Sequence, residues 1–336
     1  MAVDRRTFAL GSLAALTGSC ARAGERRLAR GDSDLMWPQF KARFLDPTGR
    51  VVDNGNGGIS HSEGQGYGLW LALWADDRNA FDAMLRWTEA TLARKDIALY
   101  SWRYDPRQPD PVADRNNATD GDIFIAWALA RAAETWREPA YARRSEEIRA
   151  AILAHLVVER FGRNVLLPGL DGFSSPNLVT VNPSYIIWPA LDRFRSLDGS
   201  SLWGPLIADS EHLLSAARFG PRQLPTDWVD IAGANSIVPA ASKPPRFGFD
   251  AIRIPLYALA SGRQPLVSPI IDYWRDYRRR GSVIPAWIDI RSGEEADYGL
   301  SPGGIALADR SLGLKNRQPL ANDYYAAALQ MLAKSL

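Results

Sequence analysis

Asn116-Asn117-Ala118-Thr119-Asp120-Gly121-Asp122 runs directly into Ile123-Phe124-Ile125-Ala126-Trp127-Ala128-Leu129 and on to Trp136. From Ile123 the apolar positions recur at helical spacing, so the stretch reads as a helix entered through two carboxylates around a glycine. One account of Asp120 and Asp122 is electrostatic, since an N-cap or first-turn acid complements a helix start. A calcium loop is a second account, but no twelve-residue EF-hand pattern follows. A functional acid is the third. Spacing alone leaves the first and third open.

The same period returns on both sides of this segment. Residues 66–74, 81–92, 141–158, 184–194, 202–219, 250–260, 269–279 and 322–333 all read as helices. Alternating strand patterns are scarce, with 51–52 and 165–167 the best short candidates. The loops over 100–119, 221–249 and 287–304 are long and rich in Pro, Gly, Asn and Trp. Long loops that are not low in complexity tend to carry sites. Many helices of moderate length, with no sustained heptad, exclude a coiled coil and fit one all-α domain. An α/α toroid or barrel suits them, although periodicity does not by itself give the barrel.

Composition narrows the chemistry. Hydrophobic residues make up 46% of the 336, enough for a large core. Lys and Arg (40) nearly balance Asp and Glu (38), and no basic stripe or recognition module is present, so nucleic acid is not an expected partner. The histidines are His61, His155 and His212, without an HExxH or CxxC arrangement. No metal or cofactor is therefore expected. Neither a GxSxG elbow nor a P-loop occurs. Twelve tryptophans either fill the core or line a groove that stacks on sugar rings.

The first 23 residues read as an export signal. Arg5-Arg6-Thr7-Phe8 precedes an apolar run from Ala9 to Leu16, and Ala21-Arg22-Ala23 is a small-x-small cleavage site. The paired arginines resemble a twin-arginine signal; an ordinary secretory signal and a lipoprotein anchored at Cys20 are the alternatives. Residues 24–36 form a polar lead expected to be poorly ordered. Cleavage after Ala23 would remove Cys20, the only cysteine, and leave a formally neutral chain without thiol or disulfide chemistry.

Two more acids sit in unusual surroundings. Glu63 lies in His61-Ser62-Glu63-Gly64-Gln65-Gly66-Tyr67-Gly68, just ahead of an apolar helix. Ser62 and Gln65 have the spacing of a capping box. Helix-dipole complementation would explain Glu63 but not three glycines, which are useful where backbone approaches a ligand. Asp250 lies in Phe247-Gly248-Phe249-Asp250-Ala251-Ile252-Arg253, with Arg253 one helical turn on. That pair is either a surface ion pair or a carboxylate held ionised and aimed. All three acids stand at helix starts. In an α/α barrel, alternate helices point the same way, so their starts can gather round one cleft.

Residues 118–129, with Ala132 and Trp136, resemble the signature of glycoside hydrolase family 8. Ser62-Glu63-Gly64-Gln65-Gly66-Tyr67-Gly68 is similar to that family's general-acid segment, and Phe249-Asp250-Ala251-Ile252-Arg253 to its general-base segment. Asn182-Pro183-Ser184-Tyr185 and Trp228-Val229-Asp230 fit further segments. Ala130 departs from the pattern, a change that bears on packing. The similarity runs from about Trp37 to the C-terminus, making 37–336 the catalytic domain. Within the family, the tail Asn322-Asp323-Tyr324-Tyr325 resembles the periplasmic group that accompanies bacterial cellulose synthase.

The resemblance implies an (α/α)6 barrel with a substrate groove at one end. It implies hydrolysis of β-1,4-glucan with inversion by an exported, periplasmic or secreted monomer serving cellulose synthesis or turnover, with the cellulose synthase machinery as a partner. Glu63 would protonate the leaving oxygen, Asp250 activate the water and Asp120 hold and distort the sugar. Asn117, Trp102, Tyr185 and Arg253 would be neighbours or subsite walls. Inversion needs carboxyls about 6.5–9.5 Å apart. The acid's pKa must be raised, against the helix end, and a negative charge on Asp120 is the expected cause; Asp250 beside Arg253 should stay ionised. Chitosan or xylan are alternative substrates. A non-catalytic glycan-binding role has no need of three acids, and a lyase would want a basic groove that is not evident.

Overall fold

Two kinds of helix alternate along the chain, and their burial patterns assign them to two layers. The computed structural model describes residues 35–336, so the export signal, Cys20 and the lead up to residue 34 lie outside the described residues. Helix α1 covers 35–44. It is followed by α2 (Ser62–Trp74), α3 (Arg78–Thr91), α4 (Thr119–Trp136), α5 (Pro139–His155), α6 (Trp188–Asp198) and α7 (Ser200–Ala216). The C-terminal part holds α8 (Ile254–Ala260), α9 (Ser268–Arg280), α10 (Pro302–Ser311) and α11 (Tyr324–Ser335). Every residue of α4 from Thr119 to Ala130 is buried, and so is nearly all of α11. A helix apolar round most of its circumference must be covered by others. By contrast α9 buries only the stripe Ile270, Ile271, Tyr273, Trp274 and Tyr277, leaving its arginines outside.

Contacts close the inner layer. Helix α2 packs on α4, α4 on α6, α6 on α8, α8 on α10, α10 on α11, and α11 returns to α2. Helices α1, α3, α5, α7 and α9 stand outside this ring, giving the expected (α/α)6 toroid. Between α10 and α11 the chain returns through 312–323 without a helix. Helices α10 and α11 start side by side: a Cβ on Gly303 would lie 2.6 Å from the Ala326 carbonyl oxygen. The core includes Trp188, Trp203, Trp274, Phe81 and Phe194, all fully buried. Trp70 and Trp127 stack between α2 and α4 with centroids 3.9 Å apart.

Two expected boundaries change. The helix read over 141–158 ends at His155, and Val157–Arg160 (β3) pairs antiparallel with Arg163–Leu166 (β4). The turn between them, Phe161 and Gly162 at φ 53 and 73, has the left-handed twist that suits a tight hairpin. The loop read over 287–304 gives up its end to α10. Its Pro302-Gly303-Gly304 start conceals the helix, although Pro at the first turn is well placed and Ser301 Oγ accepts the Gly304 N–H at 3.2 Å.

Short antiparallel strands edge one end of the barrel. Ser60–His61 (β1) pairs with Arg103–Tyr104 (β2), and Arg246–Phe247 (β9) with Ile288–Asp289 (β10). Ser174–Ser175 (β5), Leu178–Val181 (β6), Val229–Gly233 (β7) and Ser236–Pro239 (β8) form a four-stranded sheet in that order. Its central pairing sets Val179 against Ile231 and Val181 against Val229. These ladders fix the loops that carry Trp102, Asp227 and Trp228. Among the described residues no helix is long and apolar enough to cross a membrane.

Candidate active site

The starts of α2, α4, α8 and α11 meet at one end of the ring, and a single guanidinium joins the three acids singled out above. Arg253 is 2% exposed and sits just before α8. Its Nη2 donates to Asp250 Oδ1 at 2.8 Å and to Ser184 Oγ at 2.8 Å. Its Nη1 donates to Glu63 Oε1 and, at 2.7 Å, to the Tyr67 hydroxyl, and lies 3.6 Å from Asp120 Oδ2. The Glu63 and Asp250 carboxylates are thus separated by one guanidinium and two hydrogen bonds, on the order of 8 Å at most.

Glu63 occupies the first turn of α2, with 17% of its side chain exposed. Tyr67 Oη donates to Glu63 Oε1 at 2.8 Å, one helical turn on. The helix start is not the capping box that Ser62 and Gln65 suggest. His61 caps it instead: the Gly64 N–H donates to Nδ1 at 2.9 Å. Gln65 is drawn inward, accepting from Val51 N at 2.7 Å and donating to Thr88 Oγ1 at 2.8 Å. The glycines also serve packing more than a ligand. A Cβ on Gly66 would lie 2.7 Å from Phe124 Cβ of α4, and one on Gly121 would lie 2.6 Å from Glu63 N. Absence of these side chains lets α2 and α4 press together, which sets Glu63 beside Asp120.

Asp120 is 3% exposed and accepts the Gly121 N–H at 2.8 Å. Burial, and then the charge of Asp250, hold its carboxyl well above the usual range. Asp122 faces the other way. It accepts from Tyr100 N at 2.9 Å and from Asn117 Nδ2 at 2.7 Å, and burial pushes it up to about 7. Asn117 is spent on this support: its Oδ1 also accepts the Leu170 N–H at 2.7 Å.

Asp250 is the most open of the acids, with 30% of its side chain exposed. Asn182 Nδ2 donates to its Oδ2 at 3.0 Å. Burial pushes Asp250 up to about 6, while the Asn182 bond and the charge of Lys243 pull it down. It is therefore mostly ionised at neutral pH, as expected beside Arg253. Asp227, which the sequence reading passed over, stands directly behind it. Its Oδ1 accepts the N–H groups of Gly248 (3.1 Å), Asp250 (3.1 Å) and Ala251 (2.8 Å). Burial, then the Asp250 charge, push Asp227 up to about 7. Its neighbour in sequence, Trp228, was noticed; nothing local marked Asp227.

Aromatic faces border the acids. Tyr185 lies in the 3-10 turn Pro183–Tyr185, with the Arg253 guanidinium 6.0 Å from its ring centre. Trp228 meets Tyr185 edge-on at 6.2 Å and is stacked with Phe173 at 5.8 Å. Trp102 flanks Glu63 from the other side: its carbonyl accepts the Ser62 N–H at 3.0 Å, and its Nε1 donates to Asp114 at 2.6 Å. Among the described residues no group of three or more His, Cys, Asp or Glu is placed to hold a metal ion. Acids of differing proton affinity beside apolar rings can divide acid and base work on a sugar.

Comparison with known proteins gives one consistent answer. The family profile described as Glycosyl hydrolases family 8 matches residues 2–336. An endoglucanase of Cellulomonas uda is 41% identical over 285 residues, covering 84% of this chain and 79% of that one. The crystal structure of a family 8 endoglucanase from Klebsiella pneumoniae superposes with a TM-score of 0.86 at 41% identity, covering 89% of this chain and 97% of that one. An endo-β-1,4-glucanase from Acetobacter xylinum gives 0.86 at 36% identity, covering 91% and 98%.

Proposed function

Since the chain belongs to glycosyl hydrolase family 8, we propose that it is an endo-1,4-β-glucanase that cleaves with inversion, using Glu63 as general acid and Asp250 as general base. The observation that carries this reading is the pair of carboxylates held across one buried guanidinium, Glu63 on α2 and Asp250 at the entrance to α8. The guanidinium between them keeps the two carboxylates apart, and a water attacking from Asp250 asks for a separation of about 6.5–9.5 Å. Asp250, ionised at neutral pH and partly open to solvent, suits the abstraction of a proton from that water. Its carboxylate, bonded by Asn182 at Oδ2 and by Arg253 at Oδ1, is then aimed by two bonds rather than one.

Glu63 delivers its proton to the glycosidic oxygen beside Tyr67 Oη and Arg253 Nη1, with His61 Nδ1 3.8 Å from its Oε2. Asp120 hydrogen-bonds a sugar hydroxyl at the cleavage subsite and favours a distorted ring. Tyr185 and Trp102 offer apolar faces to sugar rings, Arg253 sets both catalytic carboxylates, and Asn117 acts through Asp122 on the start of α4. Residues 37–336 are the catalytic domain. The export signal read over 1–23 puts the mature chain in the periplasm or outside the cell, where cellulose is made or turned over. The substrates named for the relatives above support β-1,4-glucan over chitosan or xylan.

The test uses the mature chain with cello-oligosaccharides, following the first anomer by NMR. Wild type releases the α-anomer, and Glu63→Gln and Asp250→Asn each lose at least about a hundredfold in kcat while remaining folded. Release of the β-anomer, or retained activity in Glu63→Gln, overturns the assignment.

A further inference from the structure

Asp227 stands behind the proposed base in a way that cap geometry alone does not require. Three backbone N–H groups within one short stretch, those of Gly248, Asp250 and Ala251, point at one oxygen, Asp227 Oδ1. An asparagine or serine can accept such bonds as well as an aspartate. Asp227 is itself held: its N–H donates to the Arg246 carbonyl at 2.8 Å, in the strand that pairs with Ile288–Asp289.

Resting on the reading of Asp250 as general base, we propose that Asp227 is a positioning residue that anchors the base's backbone and so aims its carboxylate at the attacking water. The groups facing Asp250 from the other elements are Arg253 at the entrance to α8, Asp120 on α4, Tyr185 in the turn after Asn182, Tyr325 on α11 and Lys243 in the preceding loop. Lys243 pulls the carboxyl down. Asp227 alone is tied to the base's own backbone by three hydrogen bonds. Burial and then the Asp250 charge raise Asp227 to about 7, above Asp250 at about 6, so Asp227 is the first of the two to take up a proton and its part is the anchor.

The experiment is the pH profile of kcat/KM on cellopentaose for wild type, Asp227→Asn, Asp227→Ala and Asp250→Asn, with thermal unfolding of each. Asp250→Asn decides the underlying reading: a folded, inactive variant keeps it, and an active one removes the base from under the proposal. Asp227→Asn keeps the acceptor oxygen. The expected result is an acid limb unmoved, kcat within about threefold of wild type and the melting temperature unchanged or higher. Asp227→Ala loses the anchor, and kcat falls at least about tenfold below Asp227→Asn with KM little changed. Equal kcat in the two Asp227 variants, while Asp250→Asn is inactive, overturns the anchor. An acid limb displaced by a full pH unit in Asp227→Asn overturns a role confined to the anchor.

Discussion

Replacing Arg253 by Met should make stability fall more steeply with rising pH than it does in the wild type. The methionine fills a similar volume but leaves Glu63 and Asp250 facing one another without the cation that now bonds both. Removing one partner of a fully buried ion pair costs about 3–5 kcal/mol. Glu63 and Asp250 keep 17% and 30% of their side-chain exposure, so water offsets part of that cost, leaving about 2–4 kcal/mol at pH 8. At about 2 °C per kcal/mol for a chain of this size, the melting temperature should fall by about 4–8 °C. The sign at lower pH follows from linkage. Asp250 already titrates near 6 in the fold, above its unfolded value, and loss of Arg253 raises it further. The folded variant then binds more protons than the unfolded chain across pH 4 to 7, so its stability falls as pH rises through that window. At pH 5 the carboxyl is protonated and the loss should shrink to about 1–2 kcal/mol, the bonds to Tyr67 and Ser184. Calorimetry of both proteins at pH 5, 6.5 and 8 reads this directly. A melting-temperature deficit that is constant, or larger at pH 5, refutes the view that Arg253 acts by charge compensation.

Three further changes probe the scaffold and the groove. Gly121→Ala drives a methyl into Ser62 and the backbone of Glu63, so we expect a loss of about 1–3 kcal/mol in unfolding and a larger proportional loss in kcat/KM, measured on the folded fraction. Asp122→Asn removes a buried carboxyl that titrates near 7; wild-type stability falls by up to about 4 kcal/mol as pH rises from 4 to 7 through this group, and the variant lacks that slope. It also gives up one acceptor, so its melting curve should lie below wild type at pH 5 and converge by pH 8. Trp102→Ala should raise KM about 5- to 30-fold with kcat changed much less, the pattern of lost uniform binding, in initial-rate assays on cello-oligosaccharides.

How far the sequence could be read depended on the range of the interaction. The stripe Ile270, Ile271, Tyr273, Trp274, Tyr277 is a local signal, and the helix expected over 269–279 appears as Ser268–Arg280. Glu63 and Asp120 at helix starts were legible for the same reason, and Asp250 at the turn into α8 nearly so. The four-stranded sheet was not, because Leu178–Val181 finds its partner, Val229–Gly233, only after two whole helices, and no strand in it exceeds five residues. Alternation over so few positions cannot be told from chance. Gln65 failed differently. Its spacing from Ser62 fits a capping box, but burial inside the ring makes Val51 N and Thr88 the better partners. Asp227 belongs to the same class: its three donors lie more than twenty residues away, and only the folded backbone aims them at it.

The gathered helix starts invite an electrostatic explanation of the acids, and magnitudes decide against it. A helix end is worth about 0.3–1 kcal/mol to a nearby carboxylate, less than one pH unit. Burial of a carboxyl shifts it by as much as about 3–5 units in the opposite direction. Asp120 and Asp122 both lie in the first turn of α4, where the helix favours the charged form, and both are raised. Burial wins, so the inner ring serves to bring the acids together rather than to ionise them. The division of labour then falls to what each carboxyl touches. Asp250 keeps more exposure than Asp120, and the Asn182 hydrogen bond and the charge of Lys243 hold it near 6, while burial and the Asp250 charge take Asp120 well above its usual range. Asp250 is thus ionised at neutral pH, and that environment suits the part of base proposed for it.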